Sequence, residues 1–304
     1  MLSTLLSNHP RILGEGAIAE ILRREDGIEL HPTLFNTPLI YGPEGARNAM
    51  AGLYRGYLEI AREAGLPLLL TAPTWRLDRD RVAEAEVPAT INEDAVTFLL
   101  NLRDEFAPPP EAPALVGALT GPKSDCYRPD LAPDTEEAED FHTTQIQELA
   151  VTPAEFLLAQ TLPSVPEALG IARAMSQTET PYLISFCTGP NGKILDGTDL
   201  RAAFETIDED SRIRRRPEGY FVNCTHPRFI TEAYPLGSLD RLVGIQANAS
   251  SMDVTQLDGC GQTEADPIDG WTDSMHQLQD THRVPVLGGC CGTTAEHLRK
   301  LARL

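Results

Sequence analysis

Eight short apolar runs, spread along most of the chain, constrain its fold more than any other feature. Each run is apolar at nearly every position rather than at alternate positions, which is typical of strands buried on both faces of a parallel sheet. The predicted strands occupy residues 11–16, 66–75, 113–121, 155–162, 181–189, 219–226, 241–249 and 284–292. A parallel sheet of this kind needs helices to cover both of its faces.

The segments between these runs have helical patterns. Residues 46–65 repeat apolar side chains at steps of three and four and end at Gly65, a common helix stop. Weaker helical patterns cover residues 92–106, 135–149, 164–177, 198–210, 227–238 and 294–303. Alternating strands and helices can form an open doubly wound sheet or a closed (β/α)8 barrel, and eight repeats favour closure. We therefore expect an α/β fold, a single TIM barrel over residues 1–304.

Net charge and hydropathy exclude several classes of function. The 304 residues carry a formal net charge of −20 at pH 7, which disfavours a nucleic-acid partner because phosphate binding depends on basic surfaces. The chain has neither a basic, apolar leader nor an apolar run long enough to span a membrane. We expect a cytoplasmic protein that acts on small molecules. The segment 14–20, GEGAIAE, lacks the glycine spacing of a dinucleotide-binding turn.

Three of the six cysteines lie at the carboxyl ends of the sixth and eighth predicted strands. Cys224 ends the sixth strand, and Cys290 and Cys291 end the eighth, between glycines that allow a tight turn. In a barrel, the carboxyl ends of all strands meet at one rim, where active sites lie. Three thiolates suit Zn²⁺ and leave its fourth tetrahedral position open for a substrate. The alternative is that these cysteines are small buried residues near strand ends.

Two motifs around these cysteines resemble a known family. GGCCGTTAEHLRKLA (288–302) resembles the C-terminal signature of the homocysteine S-methyltransferases, and YFVNCTHP (220–227) resembles their upstream zinc-cysteine strand. Residues 13–24, 64–75 and 141–168 support the resemblance. The resemblance implies a TIM barrel in which Cys224, Cys290 and Cys291 bind Zn²⁺ and the acceptor thiol completes the coordination. It also implies methyl transfer to homocysteine or a related thiol from an onium donor such as S-methylmethionine, S-adenosylmethionine or betaine.

The resemblance also implies substrate contacts, with two departures. The family usually has an Asp-Gly pair after the first strand and a Glu at the end of the fourth, and both acids help to hold the amino group of homocysteine. This chain has Glu15 and Gly16 at the first position and the uncharged Gln160 at the second. Trp75 is a candidate cation–π face for the onium group. Asn223, beside a predicted ligand, either supports that ligand or belongs to the turn.

Alternative functions and the other cysteines remain open at this point. Because Gln160 carries no charge, a zinc- or thiol-binding barrel that has diverged to another acceptor or donor is the main alternative. A zinc hydrolase is disfavoured, since three thiolates make zinc a poor Lewis acid. Cys260 in the loop DGCGQ would close the site if it were a fourth ligand, Cys187 ends the fifth strand, and Cys126 is interpreted as a loop residue. A homo-oligomer formed through the outer helices is a further expectation.

Overall fold

A computed structural model describes residues 1–235, 239–257 and 263–303. Its strands are β1 (Ile12–Gly14), β2 (Leu68–Ala72), β3 (Ala114–Thr120), β4 (Phe156–Leu162), β5 (Tyr182–Cys187), β6 (Gly219–Thr225), β7 (Leu242–Ala247) and β8 (Val286–Gly289). Each strand pairs in parallel with the next, and β1 also pairs in parallel with β8, so the sheet closes into a barrel. The predicted TIM barrel is confirmed and the open doubly wound sheet is excluded.

Helices surround this barrel. They are α1 (Leu2–Asn8), α2 (Ala19–Arg23), α3 (Glu44–Ala64), α4 (Arg79–Glu84), α5 (Ile91–Phe106), α6 (Thr135–Ala150), α7 (Val165–Ser176), α8 (Leu200–Asp208), α9 (Pro227–Ala233), α10 (Val254–Leu257), α11 (Ile268–His282) and α12 (Ala295–Ala302). All seven helices expected from the sequence are present. Within the described ranges, no helix is both long and apolar enough to cross a lipid bilayer.

One stretch differs from the sequence-based expectation. The sequence of residues 258–271, DGCGQTEADPIDGW, predicts a long connection, but α11 begins inside this stretch at Ile268. This helix buries Trp271, Met275 and Leu278, about one large apolar residue per turn, so its amphipathic pattern is sparse. The earlier part of the connection, residues 258–262, lies outside the described residues.

The interior of the barrel is filled at its amino-terminal end. Large apolar side chains from several strands, including Phe156 and Phe221, form one cluster with Leu2 and Leu5 of α1. A Cβ atom on Gly117 would lie 2.3 Å from the Phe156 ring, and one on Gly244 would lie 2.3 Å from the Phe221 ring. The glycines therefore make room for the two rings, and helix α1 plugs this end. The carboxyl end of the barrel opens into a large cavity.

Candidate metal centre and substrate cavity

A cavity of about 600 Å³ lies at the carboxyl ends of the strands. Most of the residues that the sequence assigned to the site line it, and they come from four strand ends and the turn after β2. These lining residues are Glu15, Gly16, Trp75, Gln160, Cys224, Cys290 and Cys291. Asn223 is fully buried just behind the wall. The structure thus brings together residues that are far apart in the sequence.

The three predicted ligand sulfurs form one cluster. The Sγ atoms of Cys224 and Cys290 are 3.1 Å apart, those of Cys290 and Cys291 are 4.0 Å apart, and all three lie within 4.8 Å of one another. Tetrahedral zinc with Zn–S bonds of about 2.3 Å needs sulfur–sulfur separations of about 3.8 Å, which is close to these distances. Hydrogen bonding to Cys224, and then burial, raise the pKa of the Cys290 thiol well above its ordinary value. The spacing of the three sulfurs therefore suits a soft divalent cation.

Backbone irregularities in β4 and β6 position the first of these sulfurs. Thr161 and Cys224 adopt left-handed conformations, with φ values of 66° and 49°. Both residues lie where the pairing register of their strands shifts. Non-glycine residues in this region each cost roughly 1–3 kcal/mol and persist only when their surroundings hold them in place. At this rim, a buried side chain between the two residues does so.

That side chain is Asn223. Its Nδ2 donates to Thr161 Oγ1 (2.7 Å), and its Oδ1 accepts from the Thr161 amide (2.9 Å) and from Ser185 Oγ (2.6 Å). Nδ2 also lies within 3.4 Å of Cys224 Sγ. Asn223 therefore joins β4, β5 and β6 and contacts one sulfur of the cluster.

Glycines in β8 position the other two sulfurs. A Cβ atom on Gly288 would lie 2.9 Å from the carbonyl oxygen of Glu15, and one on Gly289 would lie 2.3 Å from Thr293 Oγ1. The absence of side chains lets β8 approach β1 closely before the chain turns. The Cys290 amide then donates to the carbonyl of Ala247 (2.7 Å), which fixes the turn that carries both cysteines.

Glu15 is a buried carboxylate in the cavity wall. Only 6% of the residue is exposed, and its carboxylate accepts hydrogen bonds from the amide (2.9 Å) and the hydroxyl of Thr71. Burial raises the pKa of Glu15 from 4.5 to about 7, although the bonds from Thr71 oppose this shift. At neutral pH, a cationic ligand beside Glu15 would stabilise its charged form.

The raised pKa predicts a pH-dependent loss of stability. Between about pH 4.5 and pH 7 the folded chain keeps the Glu15 proton that the unfolded chain releases, so the free energy of unfolding falls as pH rises. A shift of this size corresponds to about 3 kcal/mol. Glu15→Gln should remove this part of the pH dependence, as measured by urea unfolding of metal-free protein at pH 5 and pH 8. The exposed Glu111→Gln is the control, and equal pH dependence in wild type and Glu15→Gln would contradict the prediction.

Gln160 and Trp75 contact each other through the backbone. The Trp75 indole Nε1 donates to the carbonyl of Gln160 (2.9 Å), and Gln160 Nε2 donates to Gln246 Oε1. The Trp75 ring stacks on Phe35 with centroids 5.7 Å apart, and the Arg76 guanidinium carbon lies 4.5 Å from the Trp75 ring centre. Two neutral amides thus occupy the position where the resemblance implies a carboxylate. Trp75 already has a cationic neighbour, Arg76.

Several residues of the cavity were not predicted from the sequence. Cys126, interpreted from the sequence as a loop residue, is 6% exposed and lines the cavity, and Tyr127 packs against Cys187 and Cys224. Both residues follow β3, so the sequence predicts that their loop lies at this rim. The conformation of the loop was not predictable, because a loop lacks the hydrophobic periodicity of a helix or a strand. Cys187 Sγ lies 3.8 Å from the carbonyl oxygen of Cys224, and burial raises the pKa of its thiol. Cys260 lies outside the described residues.

The fold and the site together define a TIM-barrel protein with three thiols clustered in its carboxyl-end cavity. The sequence model described as Homocysteine S-methyltransferase matches residues 12–304. The chain belongs to this methyltransferase family, and the resemblance expected from the two cysteine motifs is confirmed.

Relatives and solved structures agree with this assignment. Homocysteine S-methyltransferase YbgG of Bacillus subtilis (strain 168) is 24% identical over 98% of this chain and 95% of the relative. Selenocysteine Se-methyltransferase of Brassica oleracea var. italica is 24% identical over 55% of this chain and 48% of the relative. The homocysteine methyltransferase MmuM of Escherichia coli has a similar fold. Its oxidised form gives a TM-score of 0.75 at 20% identity, covering 100% of this chain and 99% of MmuM. Its metallated form gives 0.74 at 19% identity, covering 99% of each chain.

Proposed function

We propose that this protein transfers a methyl group from an onium donor to homocysteine or a related thiol, with Zn²⁺ held by Cys224, Cys290 and Cys291. The observation that carries the proposal is the cluster of three sulfurs, within 4.8 Å of one another, in the wall of a 600 Å³ cavity. Zinc bound there lowers the pKa of an acceptor thiol, so that the acceptor reacts as a thiolate at neutral pH.

The residues of the chain hold the reactants. Asn223 supports the position of Cys224 through its contacts with Thr161 and the Cys224 sulfur. Glu15, once ionised, accepts hydrogen bonds from the ammonium group of an amino-acid acceptor. Gly16 lines the cavity beside Glu15, and a Cβ atom there would lie 2.9 Å from the Tyr57 hydroxyl, so a glycine is needed for this close packing. These contacts would hold the acceptor sulfur in the same cavity as the donor.

The reaction needs no external oxidant or base beyond this arrangement. The acceptor sulfur forms a bond to the donor methyl carbon while the bond from that carbon to the onium sulfur or nitrogen breaks. The electron pair of the broken bond stays on the leaving group, which departs without its positive charge. The acceptor proton is released to solvent. S-methylmethionine, S-adenosylmethionine and betaine all satisfy this balance.

The pairing of Gln160 with Gln246 favours one alternative. A pair of neutral amides binds an ammonium group less strongly than a carboxylate does, because charge-assisted hydrogen bonds are stronger. This arrangement suits a barrel whose acceptor is a thiol other than homocysteine. The two candidates share the metal and differ in the acceptor.

The test is to measure metal content together with methyl transfer. Purified protein is assayed for zinc and for methionine formation from homocysteine, with S-methylmethionine, S-adenosylmethionine and betaine in parallel. One zinc per chain and methionine formation with any donor would support the proposal and identify the donor. Zinc without methionine formation would favour the alternative acceptor, and protein that binds no zinc under reducing conditions would overturn the proposal.

A further inference from the structure

Arg76 is a cavity residue that the proposed mechanism does not use. Its guanidinium carbon lies 4.5 Å from the ring centre of Trp75 and 5.3 Å from that of Phe35. Nη1 donates to the carbonyl of Ser124 (3.2 Å), whereas Nε is buried without a hydrogen-bond partner. The cation therefore sits against an aromatic pair with part of its hydrogen-bonding capacity unused.

The acids near Arg76 do not form an ion pair with it. Asp78 pairs with Arg81 and Asp125 accepts a hydrogen bond from the amide of Tyr127 (2.8 Å), and both acids favour the charged guanidinium only at longer range. Among the described residues, Arg76 forms no ion pair within 4.0 Å. Burial is the largest influence on its pKa, which is lowered. A partly buried guanidinium without a directly paired counter-charge is costly unless a ligand supplies one.

The chemistry of the group suits a carboxylate. A guanidinium whose carbon lies over aromatic rings can still donate hydrogen bonds from its terminal nitrogens to a planar anion. A second cation, the exposed Arg23, lies 5.7 Å from the ring centre of Phe35 in the same cavity wall. Its neighbour Arg24 is already paired with Glu20 (3.0 Å). The cavity wall also carries acids such as Glu20 and Asp125, but in a chain of net charge −20 two arginines beside one aromatic ring favour an anionic ligand at that point.

We infer that Arg76 is a specificity-determining residue that binds the carboxylate of an amino-acid substrate. The inference rests on the proposed function, because both the acceptor and the donor of that reaction can carry a carboxylate. It also changes the role expected for Trp75. An onium group at the Trp75 face would be repelled by the like charge of Arg76 unless a carboxylate neutralised the guanidinium. We therefore expect Trp75 to orient Arg76 rather than to bind the onium group directly. For the same reason, zwitterionic donors are favoured over onium ions that lack a carboxylate.

The test uses two pairs of substrates that differ only in a carboxylate. The acceptors are homocysteine and 3-aminopropanethiol, and the donors are S-methylmethionine and (3-aminopropyl)dimethylsulfonium. Arg76→Gln should raise KM about 10- to 100-fold for the carboxylate-bearing member of one pair, with little change in kcat. The KM of the decarboxylated partner should stay within about twofold. The pair that responds identifies which substrate Arg76 binds.

Two controls separate charge from structure. Arg79→Gln removes an exposed arginine that pairs with Asp140 outside the cavity, and it should leave every KM unchanged. Arg76→Lys keeps the charge but loses the fork of donors, so it should restore only part of the affinity. Equal effects of Arg76→Gln on both members of each pair, or no effect on either pair, would overturn the inference.

Failure of the inference can be told apart from failure of the proposed function. If wild-type protein methylates a thiol while Arg76→Gln retains full preference for carboxylates, only the inference fails. If wild-type protein methylates none of these thiols, the proposed reaction fails, and calorimetric binding of homocysteine and S-methylmethionine then decides the role of Arg76. Weaker binding to Arg76→Gln than to wild type would support the inference. Equal binding, or no binding to either protein, would overturn it.

Discussion

Replacing Cys290 with serine is expected to abolish zinc binding and methyl transfer together while the barrel stays folded. The sulfur of Cys290 lies 3.1 Å from that of Cys224 and 4.0 Å from that of Cys291, so its loss removes one corner of the triangle of sulfurs. Since changes to residues that only support a metal ligand cost about 10- to 100-fold in affinity, loss of a ligand should cost more than about 100-fold. Metal analysis, turnover and circular dichroism of the same preparation check the three parts of this prediction.

The matched control is Cys187→Ser. Cys187 lies on the same rim and is fully buried, but it does not belong to the group of three sulfurs. A serine hydroxyl there can donate to the carbonyl of Cys224, which Cys187 Sγ approaches at 3.8 Å. This variant should keep its zinc. Full activity in Cys290→Ser, or equal loss of metal in both variants, would contradict the assignment of the ligands.

Asn223→Ala is expected to weaken both the fold and the metal site. It removes the partners of the Thr161 amide and of Ser185 Oγ, which are buried, and it frees Cys224 and Thr161 from the group that holds their left-handed conformations. Unsatisfied buried groups of this kind cost about 1–3 kcal/mol each, so the free energy of unfolding should fall by roughly 2–4 kcal/mol. Zinc affinity should fall about 10- to 100-fold. Urea unfolding and competition with a zinc chelator measure the two effects.

Thr188→Val distinguishes a specific role of Asn223 from a general effect of rim hydrogen bonds. Thr188, directly after β5, donates from Oγ1 to Thr225 Oγ1 of β6 (2.7 Å) at the same rim, and this hydrogen bond does not involve a sulfur atom. This variant should lose stability but keep its zinc affinity. If Asn223→Ala, measured at a temperature where it is folded, bound zinc as tightly as wild type, the supporting role of Asn223 would be rejected.

Strands and the thiol-bearing rim were predictable because both follow from local sequence. Strands such as β3 and β5 are buried along their whole length, so continuous apolar runs identify them. Closure followed from their number, and closure places Cys224 and Cys290 on one rim. The roles of these residues in binding metal and substrates stay predictions that the experiments above will test.

Features that depend on contacts between distant residues were not predictable. Arg76 follows its aromatic partner Trp75 along the chain, but nothing in the nearby sequence indicates its contacts with Phe35 and Ser124 or the lack of an ion pair. The left-handed conformation of Cys224 is likewise invisible in the letters NCT, because it depends on a register shift between two strands. Helix α11 was missed for a local reason, since only about one large apolar side chain per turn is buried.

The pairing of β1 with β8 links the completion of the barrel to the assembly of its thiols. Cys290 directly follows β8, the strand that joins β7 back to β1. During folding, such a pairing between distant parts of the chain forms slowly, because a long loop must close first. The last two sulfurs therefore reach Cys224 only when the eighth strand docks. In an incompletely folded chain, the three sulfurs would be too far apart to bind one metal ion. Metal binding would therefore indicate that the barrel has finished folding.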